Sequence, residues 1–202
     1  MRARRSSFDG RDTYYHLDLA QCAQSLAAAG TALHPGLRPD PAPPAAPGGA
    51  SPSQRTVLFL CTGNSARSQA AEALTRARSG GLVQAHSAGS HPKPLHPNAV
   101  QVMASRGVSL AGQQPKHLSE FTAELFDYVI TLCDRVRETC PEFPGHPGYL
   151  HWSIPDPAAA SRSDKDSYPA FELMAAELET RIRYWLAAVT AETAHASTQE
   201  VP

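Results

Sequence analysis

At 202 residues the chain can hold one ordinary domain plus short extensions, and 42% hydrophobic residues are enough for a packed core. A formal charge of −1 gives no general pull toward nucleic acid or anionic membrane, no apolar run is long enough to span a bilayer, and the Arg-rich start lacks the apolar core of an export signal. Four cysteines in this length do not make a secreted disulfide scaffold, so a cytoplasmic setting with reduced thiols is expected.

The chain opens on a leader, residues 1–34. Arg4 to Asp18 reads as a hairpin turning at Asp9-Gly10, and Leu19–Leu33 reads as a helix. Residues 35–54 form a Pro-rich linker, whose proline density forbids helix and central strand. Residues 55–190 are the main domain, and 191–202 a short polar tail.

Within the main domain, strand and helix alternate. Thr56–Leu60 is an apolar first strand. Ala66–Ser79 is a helix carrying Ala70, Ala73, Leu74 and Ala77 on one stripe and stopped by Gly80-Gly81. Val83–Ser87 is the second strand. His96–Arg106 is a helix entered through Pro97 and ended by Gly107. Tyr128–Leu132 and Tyr149–Trp152 are the third and fourth strands. Phe171–Val189 is an amphipathic helix with Leu173, Ala176, Leu178, Ile182 and Leu186 toward its buried face. The expected fold is α/β, a four-stranded parallel sheet with helices on both faces. Ligands of such sheets bind at the carboxyl ends of the strands.

Cys61-Thr62-Gly63-Asn64-Ser65-Ala66-Arg67-Ser68 lies at one such end. A buried strand delivers the chain to a tight loop in which Gly63 and Asn64 tolerate positive φ. The loop N–H groups from Thr62 to Ala66 would point inward, joined by the positive end of the following helix. Arg67 adds a planar fork for an oxyanion. That field favours the thiolate of Cys61, and Ser68 is placed to donate to it.

Two further cysteines, Cys133 and Cys140, flank a polar segment after the third strand. Their spacing is poor for zinc; a redox pair or two incidental thiols remain. Asp156-Pro157 follows the fourth strand and offers a carboxylic acid over the loop. The nine histidines show no ligand spacing, and His86, His91 and His96 read as loop and surface. His151-Trp152 reads as core and rim, and Cys22 as a bystander.

From about Arg55 to Val189 the chain resembles the low-molecular-weight protein tyrosine phosphatase superfamily, and within it the three-cysteine arsenate reductases recycled by thioredoxin. The resemblance implies that Cys61 attacks arsenate held by the loop and Arg67, and that Asp156 protonates the departing hydroxide. Cys133 then displaces arsenite, and Cys140 carries the disulfide to thioredoxin or a similar dithiol. It implies Ser68 as thiolate partner, Asn64 as loop brace and no cofactor. Family members sometimes hold potassium. Asn64, Glu72 and Ser87 stand at such positions, but Lys116 occupies the neighbourhood where an acidic ligand is expected, so no metal is predicted. The alternative is a phosphatase hydrolysing phosphate monoesters, which needs only the first thiol. Ala158-Ala159-Ala160, where the phosphatases commonly have tyrosines, suits a small oxyanion better. The leader resembles the last wing strand and C-terminal helix of winged-helix arsenic-type repressors; it lacks the reading helix, so no specific nucleic-acid partner is expected.

Overall fold

The structure is a computed structural model describing residues 3–8, 13–17, 54–145, 147–159 and 163–198. Strands β1 (Ala3–Phe8) and β2 (Thr13–Leu17) pair antiparallel, Phe8 opposite Thr13 and Ala3 opposite Leu17. The expected Asp9-Gly10 turn, the Leu19–Leu33 helix and the linker up to residue 53 lie outside the described residues.

The main domain runs β3 (Arg55–Cys61), α1 (Arg67–Arg78), β4 (Val83–Gly89), α2 (Pro97–Ala104), β5 (Tyr128–Thr131), α3 (Asp134–Thr139), β6 (Gly148–His151) and α4 (Asp164–Thr198). The four strands form one parallel sheet in the order β4-β3-β5-β6. Val57, Leu58, Phe59 and Leu60 are fully buried, as an apolar run at the centre of a parallel sheet must be. Register decides which face each residue serves. Phe59 meets Trp185 of α4 edge-on at 6.2 Å, and Tyr128, opposite Val57 and so on the same face, meets it at 5.4 Å. Helices α1, α2 and α4 pack together. Leu58 and His86 are register partners on the other face, where His86 lies 5.7 Å from Phe121 of a single 3-10 turn and 5.9 Å from Phe126.

Three expectations change. Leu173 is 74% exposed and Ala176 is exposed. The buried stripe of α4 is Phe171, Met174, Ala175, Leu178, Ile182, Trp185, Leu186 and Val189, which keeps the helical period that Leu173 breaks. Ala77 is likewise exposed, because α1 turns its last residues away from the core. Helix α4 also begins earlier and ends later than the sequence suggests. It runs through Pro169, whose missing N–H makes the early turns read as a loop, and on into the expected tail. Among the described residues no helix is long and apolar enough to cross a membrane.

Candidate active site

Strand β3 ends at Cys61, 2% exposed, and the chain turns sharply before α1. Asn64 makes the turn with φ +43°; Gly63 is not in the left-handed region, so of the two only Asn64 supplies the positive φ. Asn64 is fully buried and its amide knits the loop together. Its Nδ2 donates to Ser68 Oγ at 2.8 Å and to Ser87 Oγ at 2.9 Å. Its Oδ1 accepts from Gln69 Nε2 at 2.9 Å and from Lys116 N–H at 2.7 Å.

The loop carbonyls are tied outward. Thr62 O, Gly63 O and Ser65 O accept from the N–H groups of His91, Lys93 and His96 at 2.8, 2.8 and 2.9 Å. The N–H groups of Gly63, Ser65 and Ala66 have no acceptor among the described residues. Carbonyls held on the outside leave those donors to the inside, which is the construction of an anion nest. Gly89, at the end of β4, is the glycine this geometry requires. A Cβ there would lie 2.7 Å from Thr62 O, 2.8 Å from Asn64 N and 2.9 Å from Cys61 O, all backbone atoms unable to retreat.

At the base of the nest, Ser68 Oγ lies 2.9 Å from Cys61 Sγ, and Asn64 N–H donates to the same sulfur at 3.2 Å. Arg67, 7% exposed, is aimed by its two arms. Nη1 donates to Ile154 O at 3.0 Å and Nη2 lies 3.2 Å from Asp156 Oδ2. The Asp156 side chain is 52% exposed above the loop, and its Oδ1 accepts from Ala158 N–H at 3.2 Å.

Cys133 and Cys140 cap the two ends of α3. Cys133 is 7% exposed, and its Sγ lies 3.3 Å from Thr62 Oγ1, a side chain of the loop itself. Cys140 is half-buried at the far end, where burial pushes its thiol up to about 11. All three described cysteines are free.

Behind the loop lies Glu72, 1% exposed. Arg76 Nη2 reaches its Oε1 at 2.7 Å and Lys116 Nζ its Oε2 at 3.3 Å. The potassium position implied by the resemblance does not fit here, because an ammonium already neutralises the carboxylate. Among the described residues no three His, Cys, Asp or Glu side chains cluster as a metal site.

Sequence reasoning missed Gly89, Gln69, the Ile154 carbonyl and the segment 91–96. None carries a motif; Gln69 is placed by the first turn of α1, and the others are brought in by the sheet order. The histidines also differ from expectation. His86 is half-buried between two phenylalanines, and desolvation there lowers its pKa against the opposing pull of Glu72. His96 caps α2 through Nδ1, which accepts from Asn98 N–H at 3.2 Å, and stacks on Phe171 at 4.4 Å.

Residues 56–195 match the profile of the low molecular weight phosphotyrosine protein phosphatase family. An arsenate reductase of Bacillus licheniformis is 35% identical over 131 residues, 65% of this chain and 94% of that protein. The thioredoxin-dependent arsenate reductase of Corynebacterium glutamicum is 28% identical, with a TM-score of 0.54 over 86% of this chain and 72% of that one. The fold alone is shared with the tyrosine phosphatase Wzb from Escherichia coli K30 in complex with sulphate, at 22% identity and a TM-score of 0.56 over 67% of this chain and 99% of that one.

Proposed function

This chain belongs to the low molecular weight phosphotyrosine protein phosphatase family, and we propose that within it the protein reduces arsenate to arsenite through a three-thiol cascade recharged by thioredoxin or a similar dithiol. The observation that carries this reading is the position of Cys133. Its sulfur lies 3.3 Å from the Thr62 hydroxyl, on the residue that follows Cys61 in the loop.

The Cys61 thiolate attacks arsenic held by the loop N–H groups and Arg67. A hydroxide leaves as water with the proton of Asp156. The Cys133 thiolate then attacks Cys61 Sγ. The sulfur–arsenic bond breaks with its electron pair kept by arsenic, which falls from the +5 to the +3 state, while the two sulfurs lose two electrons and join. Cys140 attacks Cys133, freeing Cys61 and moving the disulfide to Cys133–Cys140. Seven residues of helix rise about 10 Å, whereas bridged cysteines sit with Cα atoms roughly 4.4–6.8 Å apart. Helix α3 therefore has to unwind in this step.

Hydrolysis of a phosphate monoester is the second reading. It needs Cys61, Arg67 and Asp156 but gives no task to Cys133. The short 3-10 turn Pro157–Ala159 beside Asp156 also offers no aromatic wall for a phosphotyrosine.

The test is arsenate reduction coupled to thioredoxin, thioredoxin reductase and NADPH, run with the parent and with Cys140→Ser. The parent turns over. Cys140→Ser releases about one arsenite per molecule and stalls with Cys61 joined to Cys133, mapped as a disulfide-linked peptide pair. Sustained turnover of the variant would remove Cys140 from the cascade. An inert parent would return the assignment to the phosphatase reading.

A further inference from the structure

Cys133 sits between two residues joined by a third. Thr131, the last residue of β5, is 4% exposed, and its Oγ1 lies 2.7 Å from Nδ1 of its register partner His151 on β6. The other ring nitrogen, Nε2, lies 2.9 Å from Oδ1 of Asp134, the first residue of α3. The imidazole thus spans from two residues before Cys133 to one residue after it. The backbone around it is held as well. Leu132 N–H donates to Leu60 O at 2.8 Å, Ile154 N–H to Leu132 O at 2.8 Å, and Trp152 N–H to Thr131 O at 2.9 Å.

We infer that Thr131, His151 and Asp134 form a bracket that positions Cys133 for its attack on the sulfur of Cys61. Their hydrogen bonds join them to one another on either side of Cys133, so they act as positioning residues for the second thiol. One neutral tautomer serves both partners of the ring: Thr131 O–H, for which the Leu150 carbonyl at 3.4 Å is the longer alternative acceptor, donates to Nδ1, and Nε2–H donates to the carboxylate. Burial lowers the pKa of His151, which keeps that neutral form in place. The bracket also gives α3 a direction. Its amino-terminal end is fastened to β5 and β6, while Cys140 at the other end caps the helix in extended backbone. In the disulfide transfer Cys140 travels to Cys133, and Cys133 stays with the loop.

This inference takes its biological setting from the reductase reading, so its test is built to work without arsenate. One equivalent of hydrogen peroxide oxidises the Cys61 thiolate to a sulfenic acid. The Cys133 thiolate attacks that sulfur and expels hydroxide, closing the Cys61–Cys133 disulfide. Dimedone competes for the sulfenic acid, and mass spectrometry reads the ratio of disulfide to adduct. In Thr131→Val, an isosteric change, and in His151→Ala that ratio falls about ten- to hundredfold, as expected for a displaced nucleophile. Thr131→Ser keeps the hydroxyl and stays near the parent ratio. Alkylation of Cys61 by iodoacetamide proceeds at the parent rate in all three. An unchanged ratio in Thr131→Val and His151→Ala would overturn the bracket, as would a parallel loss of Cys61 alkylation. A parallel single turnover with arsenate separates the two readings. A parent that makes no arsenite, with the ratio still falling in the two variants, keeps the bracket and loses the reductase; arsenite release with unmoved ratios does the reverse.

Discussion

The loop of residues 61–68 and the segment of residues 133–140 both present a cysteine at a strand end, and both continue into a helix. They are built in opposite ways. In the first, one buried asparagine holds two hydroxyls, a glutamine and the backbone of Lys116, and three carbonyls are fastened to a neighbouring segment. Helix α1 behind it is twelve residues long and buries most of its length. In the second, the helix is six residues long with no side-chain cap bond at its start. Of its residues 134–138 only Val136 is buried. A helix that short has little stability of its own. The difference matches the two tasks proposed for them. An oxyanion nest works by not rearranging as charge develops, whereas a disulfide can pass from one end of α3 to the other only if the helix opens.

The largest expected effect lies in the rigid region. Cys61→Ser abolishes arsenate reduction and any aryl phosphate hydrolysis, because the nest cannot ionise a serine hydroxyl at neutral pH. Retained turnover in the coupled assay would remove Cys61 as nucleophile. Arg67→Lys keeps the charge but cannot reach Ile154 O and hold an oxyanion with two parallel donors. A loss of about 10²–10³ in kcat/KM is expected, and a variant within threefold of the parent would mean that the fork is unused.

The mobile partner in the comparison is probed through Cys140. With its thiol pushed up by burial from 9.0 to about 11, its thiolate population at neutral pH is about 100-fold lower than that of an open thiol. The higher basicity returns up to roughly a factor of ten in intrinsic nucleophilicity, so alkylation of Cys140 in the reduced protein should be about tenfold slower than for an open thiol. Locking Cys61 to Cys133 should raise that rate if the helix opens. Equal rates in the two states, read by peptide mapping, would argue that α3 stays closed.

The smallest effect concerns the support behind the loop. Lys116→Met leaves buried Glu72 with only Arg76, itself half-exposed. A loss of about 1–2 kcal/mol is expected, less than for a fully buried pair because Lys116 is partly exposed. The parent should melt at the same temperature in potassium and sodium chloride at equal ionic strength. A potassium-specific rise in Tm would show that the lysine does not substitute for the cation.

Apart from helix α3, the order of strands and helices in the main domain was legible in the chain, because the signals are local. An apolar run gives a central strand, Gly and Pro mark the turns, and a Cys-x5-Arg run with Gly-Asn-Ser inside it, between strand and helix, reads as an anion loop. Cys61, Asn64, Arg67 and Ser68 could be named for that reason. Leu173 shows the limit of reading residue type without phase: by type it is a core residue, but its angle around α4 points to solvent. What the tertiary structure alone decided is everything that arrives from another strand. Gly89, the carbonyl of Ile154, the donors of residues 91–96 and the ring of His151 become neighbours of the two cysteines only through the order β4-β3-β5-β6. Cys133 and Cys140 could be read as a pair, but the sequence could not say that a closed helix stands between them. A disulfide is governed by distance in space, and sequence spacing becomes distance only after the backbone has chosen helix over loop.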